Sequence, residues 1–123
     1  MPRPIMYNTL RRLKEESEVD LCYLISKKGE VIVGFGDIKK SMVNSFGTLV
    51  ATIYGASVQT NKILNEKFPK KILLEDFGGF MAINHVDDDH CIVVRYKKKK
   101  DIDAIEKAIE NAAWTLSQEL EED

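Results

Sequence analysis

From Ser41 to Asn61 the chain carries no charged residue, and Lys39, Lys40, Lys62, Glu66 and Lys67 bracket that run. The spacing predicts one long helix over Lys39–Phe68. It must stop at or before Pro69, since proline disfavours helical geometry in the residue preceding it. At about 100° per residue the apolar positions fall into two stripes. Met42, Phe46, Leu49, Ile53, Ala56 and Leu64 make the first. Val43, Gly47, Val50, Tyr54 and Val58 make the second, with Ala51 on its flank. Asn44, Thr48, Thr52, Gln59 and Lys62 remain as a narrow polar strip. A surface helix needs one buried stripe, so two predict cover from two directions. The chain's own sheet is one cover. Gly47, Ala51 and Gly55, spaced four apart, allow another backbone to come close. The second stripe is therefore expected to meet a second subunit, with another helix of the same chain as the plainer alternative. A membrane span is disfavoured by Asn44, Ser45, Thr48, Thr52, Ser57, Gln59 and Thr60.

Around this helix the pattern predicts shorter elements. Pro4–Ser17 is helical, with Met6, Leu10 and Leu13 on its apolar side. Val19–Ser26, rich in β-branched and aromatic residues, and Val31–Phe35 read as strands around a turn at Lys27-Lys28-Gly29-Glu30. Beyond Pro69, strands are expected at Lys71–Phe77, Phe80–Val86 and His90–Tyr96, joined at Gly78-Gly79 and Asp87-Asp88-Asp89. A last helix begins near Asp101, where Asp103 with Glu106 resembles a capping box. The order α-β-β-α-β-β-β-α, with hairpin-length turns, predicts a single α+β domain over residues 1–123. Its mostly antiparallel sheet lies between the long helix and two terminal helices. Ile72, Leu73 and Leu74 are apolar in succession on a strand that could lie at the sheet edge. Pairing with its twin across a two-fold axis would cover it. Val43, Gly47, Val50, Ala51, Tyr54, Val58, Ile72, Leu73 and Leu74 are thus the predicted dimer interface.

Composition adds bounds. A net charge of −2 gives no broad attraction to nucleic acid or anionic membrane. Met1-Pro2-Arg3-Pro4 is not followed by an uninterrupted apolar core, so no signal peptide is read and the cytoplasm is expected. Abundant lysine, glutamate and isoleucine lean toward a heat-adapted source. Cys22 and Cys91 sit in strands, and buried free thiols are expected.

The residues Asp20 to Gly36, in the run Asp-Leu-Cys-Tyr-Leu-Ile-Ser-Lys-Lys-Gly-Glu-Val-Ile-Val-Gly-Phe-Gly, carry a resemblance. Together with the small-residue central helix, the three-strand meander and the element order, they resemble a stand-alone Roadblock (dynein light-chain type) domain over about Leu10–Leu120. The resemblance implies a five-stranded antiparallel sheet with the central helix on one face and the terminal helices on the other. It implies dimers whose central helices pack together and whose third strands join. It also implies a platform that binds Ras-like small GTPases, motor subunits or scaffolds. The GTPase partner comes from the resemblance alone.

Chemistry-bearing motifs are sparse. Gly34-Phe35-Gly36 lacks the third glycine of a dinucleotide loop, with Lys39 standing there, and no Gly-Lys-Ser or Gly-Lys-Thr is present. His85 and His90 flank three aspartates, but the spacing matches no standard zinc or calcium loop. Arg95 and Lys97–Lys100 form a basic run suited to a solvated connection, or to contact with phosphate or an acidic partner. Trp114 is off the apolar stripe of the last helix; it either packs beside the first helix or anchors a partner. No nucleophile–base pair, cofactor site or metal site is predicted. The expected function is a non-enzymatic homodimeric module that binds a Ras-like GTPase, with Asn44, Thr48, Thr52 and Gln59 as contact candidates. The alternative is a sensor that holds a small molecule between sheet and helix.

Overall fold

The computed structural model describes residues 4–98 and 101–122, so Lys99 and Lys100 of the basic run lie outside the described residues. The elements follow the predicted order. They are α1 (Pro4–Ser17), β1 (Leu21–Ser26), β2 (Val31–Phe35), α2 (Val43–Ile63), β3 (Lys71–Glu75), β4 (Gly79–Asp87), β5 (His90–Lys97) and α3 (Ile102–Glu121). A 3-10 turn at Lys40–Met42 leads into α2. The strands form one antiparallel sheet in the order β2-β1-β5-β4-β3.

Two helix ends differ from expectation for local reasons. The long helix stops at Ile63, well before Pro69. Asn65 takes φ +59, and the chain reverses as Glu66 N–H donates to the Asn61 carbonyl at 2.8 Å and Asn65 N–H to the Lys62 carbonyl at 3.1 Å. Asparagine tolerates this left-handed position, so the helix is capped by its own backbone. The Asn61 side chain then holds the outgoing loop by donating to the Lys67 carbonyl at 2.8 Å. At the start of α3, Asp101 is the cap, accepting from Ala104 N–H at 3.2 Å. Asp103 with Glu106 does not form a capping box around it; Glu106 instead accepts from Lys71 Nζ at 2.8 Å.

The sheet divides the interior into two cores, because alternate strand residues point to opposite faces. On one face Met6, Leu10 and Leu13 of α1 and Ile105, Ile109 and Leu116 of α3 pack on Cys22, Leu24, Ile92, Val94 and Tyr96. On the other face Val50 and Tyr54 of α2 pack on Tyr23, Ile25, Ile83, Cys91 and Val93. Cys22 and Cys91 are both buried and free, and they belong to opposite faces.

The seating of α2 overturns the stripe assignment. Gly47, Val50 and Tyr54, predicted to meet a second subunit, are buried against the chain's own sheet. Val43, Ala51 and Val58 are half-buried, and Ala51 and Val58 pack on that same core. The physical reason is the β1–β2 turn. Gly29 sits there at φ +92, and a side chain added to it would come within 2.8 Å of the Thr48 Cα. A side chain added to Gly47 would strike the Gly29 carbonyl oxygen and approach Val31 Cγ2 at 2.9 Å. Two glycines in contact let the helix lie directly on the turn, and that contact fixes which face looks inward. The close approach predicted for Gly47 is therefore to its own chain. A side chain added to Gly55 would meet nothing within 4 Å, and this glycine faces solvent.

Replacing Gly47 by leucine is expected to lower folding stability by about 1–3 kcal/mol or more through overpacking. Gly55→Ala should instead be neutral or stabilising by up to about 1 kcal/mol, since it only improves helix propensity. Urea unfolding of both variants checks this, and equal midpoints for the two would rule out the Gly29–Gly47 contact as the seat of α2.

Candidate interaction surface

With the second stripe inside, part of the first is left bare, while Phe46 and Ile53 of it pack half-buried on the same core. Leu49 is 63% exposed and Ile63 82%, with Met42 and Leu64 also exposed and Phe46 and Ile53 half-buried. Met42, Leu49 and Ile63 recur at intervals of seven residues or a multiple of it, with Ala56 completing the row, so they line one side of the helix. Beside the first half of α2 this apolar side opens into a groove of about 340 Å³. Leu21, Ile38, Met42, Phe46, Leu49 and Met81 line it, with Arg95 at its rim. The predicted contact candidates Asn44, Thr48, Thr52 and Gln59 are all exposed, and none of them lines this groove.

The edge prediction for β3 holds. Ile72 packs against the α2-side core, whereas Leu73 and Leu74 remain 40% and 41% exposed. Among the described residues no strand lies beyond them. The α2 side and the β3 edge thus leave apolar surface uncovered, in addition to the separate exposed rings of Phe77 and Trp114. Trp114, 67% exposed, is not packed away beside α1.

The polar groups that suggested chemistry are engaged structurally. Tyr54 Oη lies 2.7 Å from His85 Nδ1 and donates to the Pro69 carbonyl at 3.2 Å, tying α2 to β4 and to the loop before β3. Burial raises the Tyr54 hydroxyl pKa. His90 Nδ1 pairs with Asp87 at 2.8 Å, and Asp89 with Lys27 at 2.8 Å. Among the described residues, no group of three or more histidine, cysteine, aspartate or glutamate side chains could hold a metal ion. Arg95 is not free. Its guanidinium donates twice to Asp76, at 2.8 and 3.0 Å, while Asp76 also accepts from Gly78 and Gly79 N–H. The Arg95 hydrogen bond, with those backbone donors, holds the Asp76 carboxyl below its usual range. Lys98 pairs with Glu75 and lies over the Phe80 ring. Among the described residues no helix is long and apolar enough to cross a membrane.

The Roadblock/LC7 domain pattern matches residues 5–95 of the chain. The chain belongs to the Roadblock/LC7 domain family. Its fold superposes on Myxococcus xanthus MglB with a TM-score of 0.91 at 18% identity, covering 98% of each chain. An MglB with a tetrameric arrangement superposes with a TM-score of 0.86 at 18% identity, over 96% of this chain and 89% of that one. A Roadblock/LC7 domain from Streptomyces avermitilis gives 0.78 at 11% identity, over 98% of each. At such identities the likeness establishes the fold. No curated protein matches the sequence.

Sequence reasoning missed which stripe is bare because both are apolar at helical spacing. The signal that could have separated them was Gly29, a turn glycine able to receive another glycine's backbone. Burial raises the Cys22 thiol pKa to about 11 and that of Cys91 to about 12. Both are therefore neutral thiols at pH 8 and poor nucleophiles. Iodoacetamide at pH 8 is expected to leave the folded protein unmodified and to label both cysteines in urea, as read by intact mass. Rapid labelling of the native protein would contradict this burial.

Proposed function

We propose that this Roadblock/LC7 chain is a homodimeric, non-enzymatic interaction module that binds a Ras-like small GTPase. The observation that carries the reading is a pair of uncovered apolar surfaces, the bare side of α2 at Met42, Leu49, Ala56 and Ile63 and the unpaired edge of β3. Covering a leucine- or isoleucine-sized side chain contributes about 1.5–3 kcal/mol. A two-fold operation that joins the β3 edges also brings the apolar sides of α2 toward each other, so one contact covers both. The interface in this reading is Met42, Leu49, Ala56 and Ile63 of α2 with the edge strand residues Ile72, Leu73 and Leu74. Asn44 and Thr48 then stay outside it, Thr52 and Gln59 border it, and the four are the proposed docking strip for the GTPase. The engagement of His85, His90 and Arg95 in structural bonds, and the neutral thiols, support a role without chemistry of its own.

The groove of about 340 Å³ favours one second reading, a small apolar ligand held beside α2. The two readings differ in what covers that groove. In the first it is roofed by the second subunit; in the second it stays open to solvent in the assembled protein.

Light scattering behind size exclusion is expected to give the mass of two chains for the wild type and of one chain for Leu49→Glu, with circular dichroism unchanged. The wild type should retain a Ras-like GTPase from its own source in a nucleotide-dependent manner, and Asn44→Trp should weaken that retention without changing the mass. A wild type that stays monomeric at micromolar concentration would sink the dimer. Retention by wild type and Asn44→Trp alike would sink the docking strip.

A further inference from the structure

Phe77, at the tip of the β3–β4 turn, is fully exposed at 108%. Near the opposite end of β3 a pocket of about 210 Å³ opens between β4 and α3. Val86, Ala113, Ser117 and the exposed Trp114 line it, with the Lys70–Glu110 ion pair of 2.8 Å at its rim. Neither feature has a role in the fold of one chain.

The bare edge links them. His85 N–H donates to the Lys70 carbonyl and Asp76 N–H to the Gly79 carbonyl, both at 2.9 Å, and these bonds bracket the β3–β4 ladder. Antiparallel ladders alternate, so Ile72 and Leu74 direct their backbone groups to β4. Lys71, Leu73 and Glu75 direct theirs outward. Residues directly opposite each other in a sheet share a face. Two copies therefore keep both α2 helices on the same side only where odd-numbered residues oppose odd-numbered residues. Of those registers, the one centred on Leu73 uses the outward groups of all three residues in both strands. It also sets Lys71 opposite the partner's Glu75, extending the pairs Lys71–Glu106 and Lys98–Glu75 into an alternating row of charges. A shift by two residues in one direction places Glu75 opposite the partner's Pro69, which has no N–H. A shift in the other places Lys71 opposite the partner's Phe77 in its turn.

We propose that the two copies pair β3 about Leu73 and that Phe77 of each copy seats against Trp114 in the pocket of the other. The inference rests on the dimer proposed above. In this register the partner's β3–β4 turn, which carries Phe77 two residues past the end of its β3, lies level with the chain at Pro69, which enters β3 two residues before Lys71. Continuing the Lys71–Asn84 register places Pro69 beside Val86, on the α3 side of the sheet where the pocket opens. The ring closes the mouth over the indole, an aromatic contact between two side chains that are otherwise wet.

Trp114 is the chain's one tryptophan, so its emission reads this pocket alone. Cysteines placed one at a time at Ile72, Leu73 and Leu74 read the register, because a disulfide needs Cα atoms within about 7 Å. The native thiols are buried and do not compete. Under oxidation only Leu73→Cys is expected to give a covalent dimer. Phe77→Ala is expected to keep the mass of two chains while red-shifting Trp114 emission and raising its quenching by acrylamide. A wild type with the mass of one chain removes the dimer and this inference together. A dimer that crosslinks through position 72 or 74, or through none of the three, overturns the register alone. Crosslinking at 73 with Trp114 emission and quenching unmoved by Phe77→Ala overturns the seating of the ring.

Discussion

The contact between Gly29 and Gly47 sets the arrangement on which the rest depends. With no side chain on either residue, α2 lies against the β1–β2 turn. That contact fixes the rotation of the helix about its axis. Val50 and Tyr54 then point into the sheet, and Met42, Leu49 and Ile63 point away from it. A helix apolar on two sides has two nearly equivalent ways to lie on a sheet, and a steric contact between backbones separates them more sharply than hydrophobicity does.

The two faces of the sheet are covered unequally. The side of α1 and α3 receives two helices and a continuous core that includes Tyr96, Leu10 and Leu116. The side of α2 receives one helix, whose buried contribution is Val50 and Tyr54 with Gly47. Polar ties secure it: Tyr54 to His85 and Pro69, and Asn61 to Lys67. The same ties hold the loop that delivers β3 to the sheet edge. The placing of α2 and the placing of the bare edge are thus coupled through one hydroxyl and one amide. The apolar side of α2 and the edge of β3 are both left uncovered.

The charges near that edge follow from the same geometry. Lys71 and Glu75 stand at the two ends of β3 on the side of α3, each already paired within its own chain, to Glu106 and to Lys98. They are partly exposed, so salt screens them and they contribute little to the stability of one chain. Their placement at opposite ends of a short strand matters more for register than for affinity, since an antiparallel copy puts unlike charges together.

The sequence by itself determined the element order, the sheet edge at β3 and the family resemblance. Each depends on local signals: runs of β-branched and other apolar residues, turn glycines, and the span between breakers. It also exposed the two-sided apolar character of α2, from which a second cover was inferred. The helix ended early because Asn65 adopts a left-handed conformation that no composition rule required before Pro69 was reached. Asp101 rather than Asp103 became the cap because the helix began one residue after it. Which stripe of α2 is buried was decided only in three dimensions. The wheel positions of Val50 and Leu49 are set by spacing, but their fates depend on a turn some twenty residues earlier that meets Gly47. Periodicity reports which residues share a side of a helix; only packing against a particular surface says which way that side faces.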